Sequence, residues 1–273
     1  MVRFSVIGGV AAGTLAVLSA LAATAGAWKL LGISWVAFGA MALGIPIGRR
    51  TLGDRSWALV WGYGLAAGAM VTSAAVFLVP QAIAHNANFG GFGIALGLLV
   101  GFAGHTVGHR LAHSDPPIDR TVAELSAHAF SAGIIIGIVY GNMPDLGPIL
   151  GLAIVSHKGP AGYAAARRLV SNDRDPTVLL LPAAGVGIAA IVASLIQLPA
   201  ASGVRGVVFG FAAGIFLHVA MDFLPRCEIG SDVHELLTVT GDAHALLDRL
   251  RIHAVLSTAL GGIAVFLGWL TVT

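Results

Sequence analysis

The sequence predicts an all-α fold, a polytopic transmembrane helical bundle, and three observations carry that prediction. Of 273 residues, 57% are hydrophobic and only 10% charged, against roughly a quarter charged in an ordinary soluble domain. Apolar runs of about twenty residues, long enough as helices to match a hydrocarbon core of ~30 Å, recur along the whole chain. Glycine recurs at four-residue spacing inside those runs: Gly64 and Gly68; Gly133, Gly137 and Gly141; Gly206, Gly210 and Gly214. Small residues on one helix face let backbones approach closely in lipid. Backbone groups without water must bond within their own segment, so the runs are expected to be helices.

Apolar runs bounded by charge place spans near 4–27, 30–48, 57–84, 89–109, 123–142, 147–166, 177–198, 203–225 and 252–272. The first run ends near Ala-Ala-Thr-Ala-Gly-Ala and admits two readings, a cleaved signal peptide or a retained extra span; its length favours the span. Short cytoplasmic loops collect Lys and Arg. With Met1 inside and nine crossings, Arg49, Arg50, Arg110, Arg120, Arg167, Arg168, Arg174, Arg226, Arg249 and Arg251 all fall on the cytoplasmic side, together with Arg3 and Arg55. Only Lys29 and Arg205 fall outside, and Lys158 lies within a span. The expected topology therefore has a cytoplasmic amino terminus and an external carboxy terminus. The basic residues sit singly or in pairs, which is an orientation signal and no nucleic-acid surface. Two lysines against thirteen arginines point to a prokaryotic source and its plasma membrane.

An ionisable group inside a span costs on the order of 3 kcal/mol by insertion scales, so it is expected to face a partner, a cavity or a pathway. Few positions qualify: His128 in the fifth run, Ser156-His157-Lys158-Gly159-Pro160 in the middle of the sixth, and His218 with Asp222 on one face of the eighth. Two histidines on neighbouring helices can ligate one metal ion, because imidazole suits zinc, iron and nickel; a lone one serves equally as a helix-to-helix hydrogen bond. Pro160 frees a carbonyl one turn back and predicts a helix kink. His105, His109 and His113 follow one another at four-residue steps from the fourth span into a cytoplasmic loop, a spacing suited to loose metal capture or to an interfacial helix end. His234, His244 and His253 fall in or beside the last loop as solvated side chains. The lone Cys227 excludes a disulfide framework and any multi-thiolate site. No HExxH, no GxSxG and no phosphate-binding glycine loop is present, so an enzyme is not expected. An intramembrane zinc hydrolase using the histidines with Asp222 is the least favoured reading.

These residues resemble the ZIP family of transporters, which move zinc, iron and related divalent metals towards the cytoplasm. The resemblance runs from about residue 30 to the end, with residues 1–28 as an extra span or signal peptide and 29–273 as a ZIP-like bundle. It is carried by His128, Ala129, Ser131, Ala132 and Gly133 in one central helix and by His157, Lys158, Gly159, Pro160, Ala161 and Gly162 in the next. Weaker echoes are Leu78-Val79-Pro80-Gln81, and Phe216-Leu217-His218-Val219-Ala220 before Asp222 and Leu224-Pro225. The resemblance implies metal ligation by His128, His157, His218 and Asp222 and a transported divalent ion, zinc first, with no tightly bound cofactor. The composition makes the lipid bilayer the expected partner, and the oligomeric state is left open, a homodimer being one possibility. Departures change the chemistry: Ala132 and Ala161 stand where the family has carboxylates, Ala129 stands for an amide, and Lys158 falls where a ligand of a second metal is expected. An ammonium there acts as an occupant of that second position. The same losses favour a non-transporting relative, a regulator or membrane partner, as the alternative.

Overall fold

A computed structural model describes residues 5–50, 56–111, 119–143, 147–199, 201–224 and 243–271. The described residues are predominantly helical, and no strand occurs among them. In chain order the helices are α1 (Val6–Thr24), α2 (Trp28–Arg50), α3 (Ser56–Ser73), α4 (Val79–His85), α5 (Ala87–Leu111), α6 (Arg120–Asn142), α7 (Pro148–Val155), α8 (Lys158–Ser171), α9 (Leu180–Ala193), α10 (Ser202–Phe223) and α11 (Ala243–Leu270). Among the described residues eight helical stretches are long and apolar enough to cross a membrane, and the protein is a multi-pass membrane protein. Leucine, valine and phenylalanine side chains cover its outside, as a surface facing lipid requires.

Local chemistry sets the ends. Ala-Gly-Ala after α1 is a helix stop: Gly26 has φ +74, Ala27 N–H bonds to the Ala22 carbonyl and Gly26 N–H to that of Ala23. Those two bonds define a glycine-terminated helix end. Asp173 closes α8 in the same way at φ 54. Asp119 and Asp175 cap α6 and the 3₁₀ turn Pro176–Leu179 that leads into α9.

Two of the expected spans are modified. The run near 57–84 is one long element containing a π-turn, Ala74–Leu78, in which Val79 N–H reaches back to Ala74. Pro80 follows directly and has no N–H to offer the preceding turn. The run near 147–166 is broken outright, α7 ending at Val155 and α8 beginning at Lys158. Pro160 does not kink a continuous helix as the sequence suggested. It sits in the first turn of α8, where its missing N–H is one that the helix could not have paired.

Helix pairing follows the glycines. On α5 and α10, a Cβ at Gly93 would strike the Val207 carbonyl, and one at Gly214 that of Ile94. Gly68 faces Thr258 and Gly261 faces Leu65 between α3 and α11; Gly133 and Gly137 lie on the carbonyls of Val186 and Ala190 between α6 and α9; Gly44 and Gly48 lie on Gly159 and Tyr163 between α2 and α8. The four-residue spacing thus reports four backbone-close helix pairs.

The pairing has an internal symmetry. The principal neighbours are α2 with α8, α9 with α6, α3 with α11, and α10 with α5, while α2 also meets α9 and α3 meets α10. Exchanging α2 with α9, α3 with α10, α5 with α11 and α6 with α8 returns the same set. With α7 and α8 counted as one crossing, four crossings lie between α2 and α9, α3 and α10, and α5 and α11, and none between α6 and α8, so each helix runs opposite to its counterpart, the plan of an inverted repeat. Gly64 and Gly68 stand one residue farther from Pro80 than Gly210 and Gly214 stand from Pro225. A π-turn absorbs one extra residue, and the π-turn between α3 and α4 falls inside that interval. α1 lies outside the symmetry and packs on α9, with Leu15 against Gly187 and Ser5 N–H donating to the Thr177 hydroxyl at 2.8 Å.

Two packing groups result. One holds α1, α2, α6, α8 and α9; the other holds α3 with α4, α5, α10 and α11; the short α7 touches α2 on one side and α3 and α11 on the other.

Candidate metal centre

His128 lies two turns into α6, and His157 occupies the break between α7 and α8. A side chain at that break is fixed by both half-helices, since the His157 carbonyl accepts from Ala161 N–H at 3.0 Å to start α8. The Nε2 atoms of the two imidazoles are 3.0 Å apart, with ring centroids 5.2 Å apart and planes inclined at 57°. His157 is buried and His128 partly buried. At this separation one Nε2 donates and the other accepts, so the rings hold opposite tautomers. The distance also suits two ligands of one ion: at about 2.0–2.1 Å from each nitrogen, a metal would see them at roughly a right angle.

The pair borders a small cavity, ≈ 10 Å³ for water-sized centres, lined by Met70, His128, Ala132, His157, Ile215, Phe216 and Val219. That volume is about one water molecule. Its walls come from α6 and the α7–α8 break on one side and from α3 and α10 on the other, so it lies on the boundary between the two packing groups. Among the described residues no carboxylate lines it, and no group of three or more His, Cys, Asp or Glu able to hold a metal occurs. Lys158, next to His157, is fully buried, and its Nζ has no hydrogen-bond partner among the described residues.

The other sequence-predicted ligands distribute differently. His218 packs its ring against Gly101 of α5, whereas the cavity takes Ile215, Phe216 and Val219 from the same helix. With 3.6 residues per turn, His218 points away from the face those three present. Asp222 is in the last turn of α10 and His105 and His109 are near the end of α5, with side chains outside the described set. His113 lies outside the described residues altogether. Ala132 lines the cavity and Ala161 is buried nearby in the core. His253, expected to be solvated, instead accepts a hydrogen bond from Trp61 Nε1 at 3.1 Å between α3 and α11.

Two contributors were not singled out in the sequence. Met70 is a cavity wall, hidden in the sequence because a methionine in an apolar run reads as packing. Tyr140 donates to the Gly147 carbonyl at 2.7 Å and accepts from Gly151 N–H at 2.9 Å, tying α7 to α6. A tyrosine in an apolar run was the available signal, since its hydroxyl needs a partner there. No family model matches the chain, and no curated protein matches it in sequence.

Proposed function

We propose that the chain is a membrane permease for transition-metal ions of the ZIP type, working by alternating access. The observation that carries this reading is the 3.0 Å approach of His128 and His157 at a cavity shared by two helix groups. Transporters with inverted repeats place their site at the repeat interface and build it from discontinuous helices. The α7–α8 break and the exchange relation between α6 and α8 fit that plan. In the proposed cycle His128 and His157 supply imidazole nitrogens to the ion, and Lys158 stands in for a second metal. Movement of one group against the other opens the cavity to either side in turn. The arginine distribution supports a plasma-membrane protein with its amino terminus inside and its carboxy terminus outside.

The test is metal uptake into proteoliposomes, screening zinc, iron, manganese, cobalt and cadmium, with His128→Ala/His157→Ala as control. Uptake lost in the control supports the histidine-based permease. A non-transporting relative is the second reading, favoured by the absence of any carboxylate from the described residues of the cavity wall; it requires folded protein that moves no metal at all.

A further inference from the structure

We propose that the ion taken by this cavity is a soft monovalent cation, Cu(I), held by the Nε2 atoms of His128 and His157 with the Met70 thioether as third donor. The inference rests on the permease reading and names its substrate class.

Three observations carry it. The first is the donor set. Met70 is buried and lines the same cavity as the two histidines, and among the described side chains no carboxylate or thiolate joins them there. Thioether and imidazole together select Cu(I), whereas hard divalent ions seek oxygen. The second is charge. The cost of an uncompensated ion in an apolar interior rises with the square of its charge, so a monovalent ion costs about a quarter of what a divalent one costs. Among the described side chains no anion borders the cavity to offset two charges, and the buried Lys158 beside His157 has no partner for its Nζ among the described residues. The third is size. At ≈ 10 Å³ the space excludes a hydrated ion, and a monovalent ion gives up its water more readily than a divalent one.

Binding needs little rearrangement. Widening the nitrogen separation by about half an ångström takes two ligands at 2.0–2.1 Å from a right angle towards trigonal. The ring that donates in the histidine pair moves its proton from Nε2 to Nδ1, leaving both Nε2 lone pairs for the ion.

The experiment uses the full chain and Ag(I), a redox-inert stand-in for Cu(I), in chloride-free buffer, alongside Cu(I) under ascorbate and zinc. Binding to detergent-purified protein is measured by calorimetry, and uptake is measured in proteoliposomes. The expected result is one Ag(I) bound per chain and carried in preference to zinc. Met70→Leu should weaken Ag(I) binding at least about tenfold with the thermal midpoint preserved, and Met70→Cys should restore part of it. Preference for zinc in both assays would overturn the inference and leave the permease reading standing. Ag(I) bound through the histidines and never transported would keep the ion site and remove the permease. Protein that neither binds nor moves Ag(I), Cu(I) or zinc would overturn both.

Discussion

The hydroxyl of Tyr140 accepts the amide N–H of Gly151 at 2.9 Å, so a side chain on α6 caps the first turn of α7. That amide is the fourth of α7, and the hydroxyl bridges it to the Gly147 carbonyl that precedes the helix. Tyr140→Phe removes both bonds, the one to the Gly151 amide and the one to the Gly147 carbonyl. We expect a loss of about 1–3 kcal/mol, read as a lower thermal midpoint in detergent. Metal binding should fall as well, because α7 helps hold the break that carries His157. A midpoint unchanged within error would show that the clasp contributes nothing.

Lys158 carries an opposite expectation. A buried amine or ammonium with no acceptor among the described residues destabilises the fold, so Lys158→Met, similar in volume, should raise stability by about 1–3 kcal/mol. Lys158→Ala should raise the affinity or uptake of divalent ions, zinc above all, by removing the competing charge. Zinc uptake identical in wild type and Lys158→Ala would mean that the lysine does not guard the site.

The glycines divide into two classes. At Gly137 a side chain would enter the backbone of Ala190, while nothing lies within 4 Å of the position a Cβ would take at Gly13. Gly137→Leu should therefore separate α6 from α9 and abolish folded protein, seen as loss of a monodisperse peak in size-exclusion chromatography. Gly13→Ala should be neutral, or stabilising by up to about 1 kcal/mol through the lower chain entropy of alanine.

Asn142 closes the end of α6. Its Nδ2 donates to the carbonyls of Ile138 and Ile196 at 2.9 and 2.8 Å, and its Oδ1 accepts from Leu198 N–H at 2.7 Å. Asn142→Leu removes all three bonds and should cost about 2–4 kcal/mol. Asn142→Asp keeps the acceptor and loses the donors, so its melting temperature should fall between the two. Equal melting of all three proteins would contradict this ordering.

How far the chain could be read in advance varied with the kind of signal. Span positions near α2, α5, α6 and α10 followed from runs of apolar residues, because in lipid every backbone group must bond locally and composition alone then selects a helix. The glycine spacing announced close packing on the right helix faces. The Gly26 stop was written in Ala-Gly-Ala, yet the same residues also fit a cleavage site. Pro160 signalled irregularity a few residues from where the helix breaks, since proline in a first turn and proline inside a kink have the same sequence signature.

His128 and His157 were legible as ionisable residues in spans, but so was His218, and only the packing separates them. A face of α10 is set by its neighbours, and Gly101 on α5 leaves the room into which His218 turns. Met70 illustrates the converse: its thioether becomes a candidate donor only because α3 lies against α10 and brings it to the wall where α6 presents His128. By itself the sequence determined that the chain is a helical membrane bundle, where its helices run and that glycine pairs them, because those properties depend on local composition and periodicity. The tertiary structure alone decided which helices pair, that their pairing is symmetric, and which two histidines meet at 3.0 Å. Contacts between residues distant in sequence are fixed by the complementary shapes of helix faces, and no local pattern encodes them.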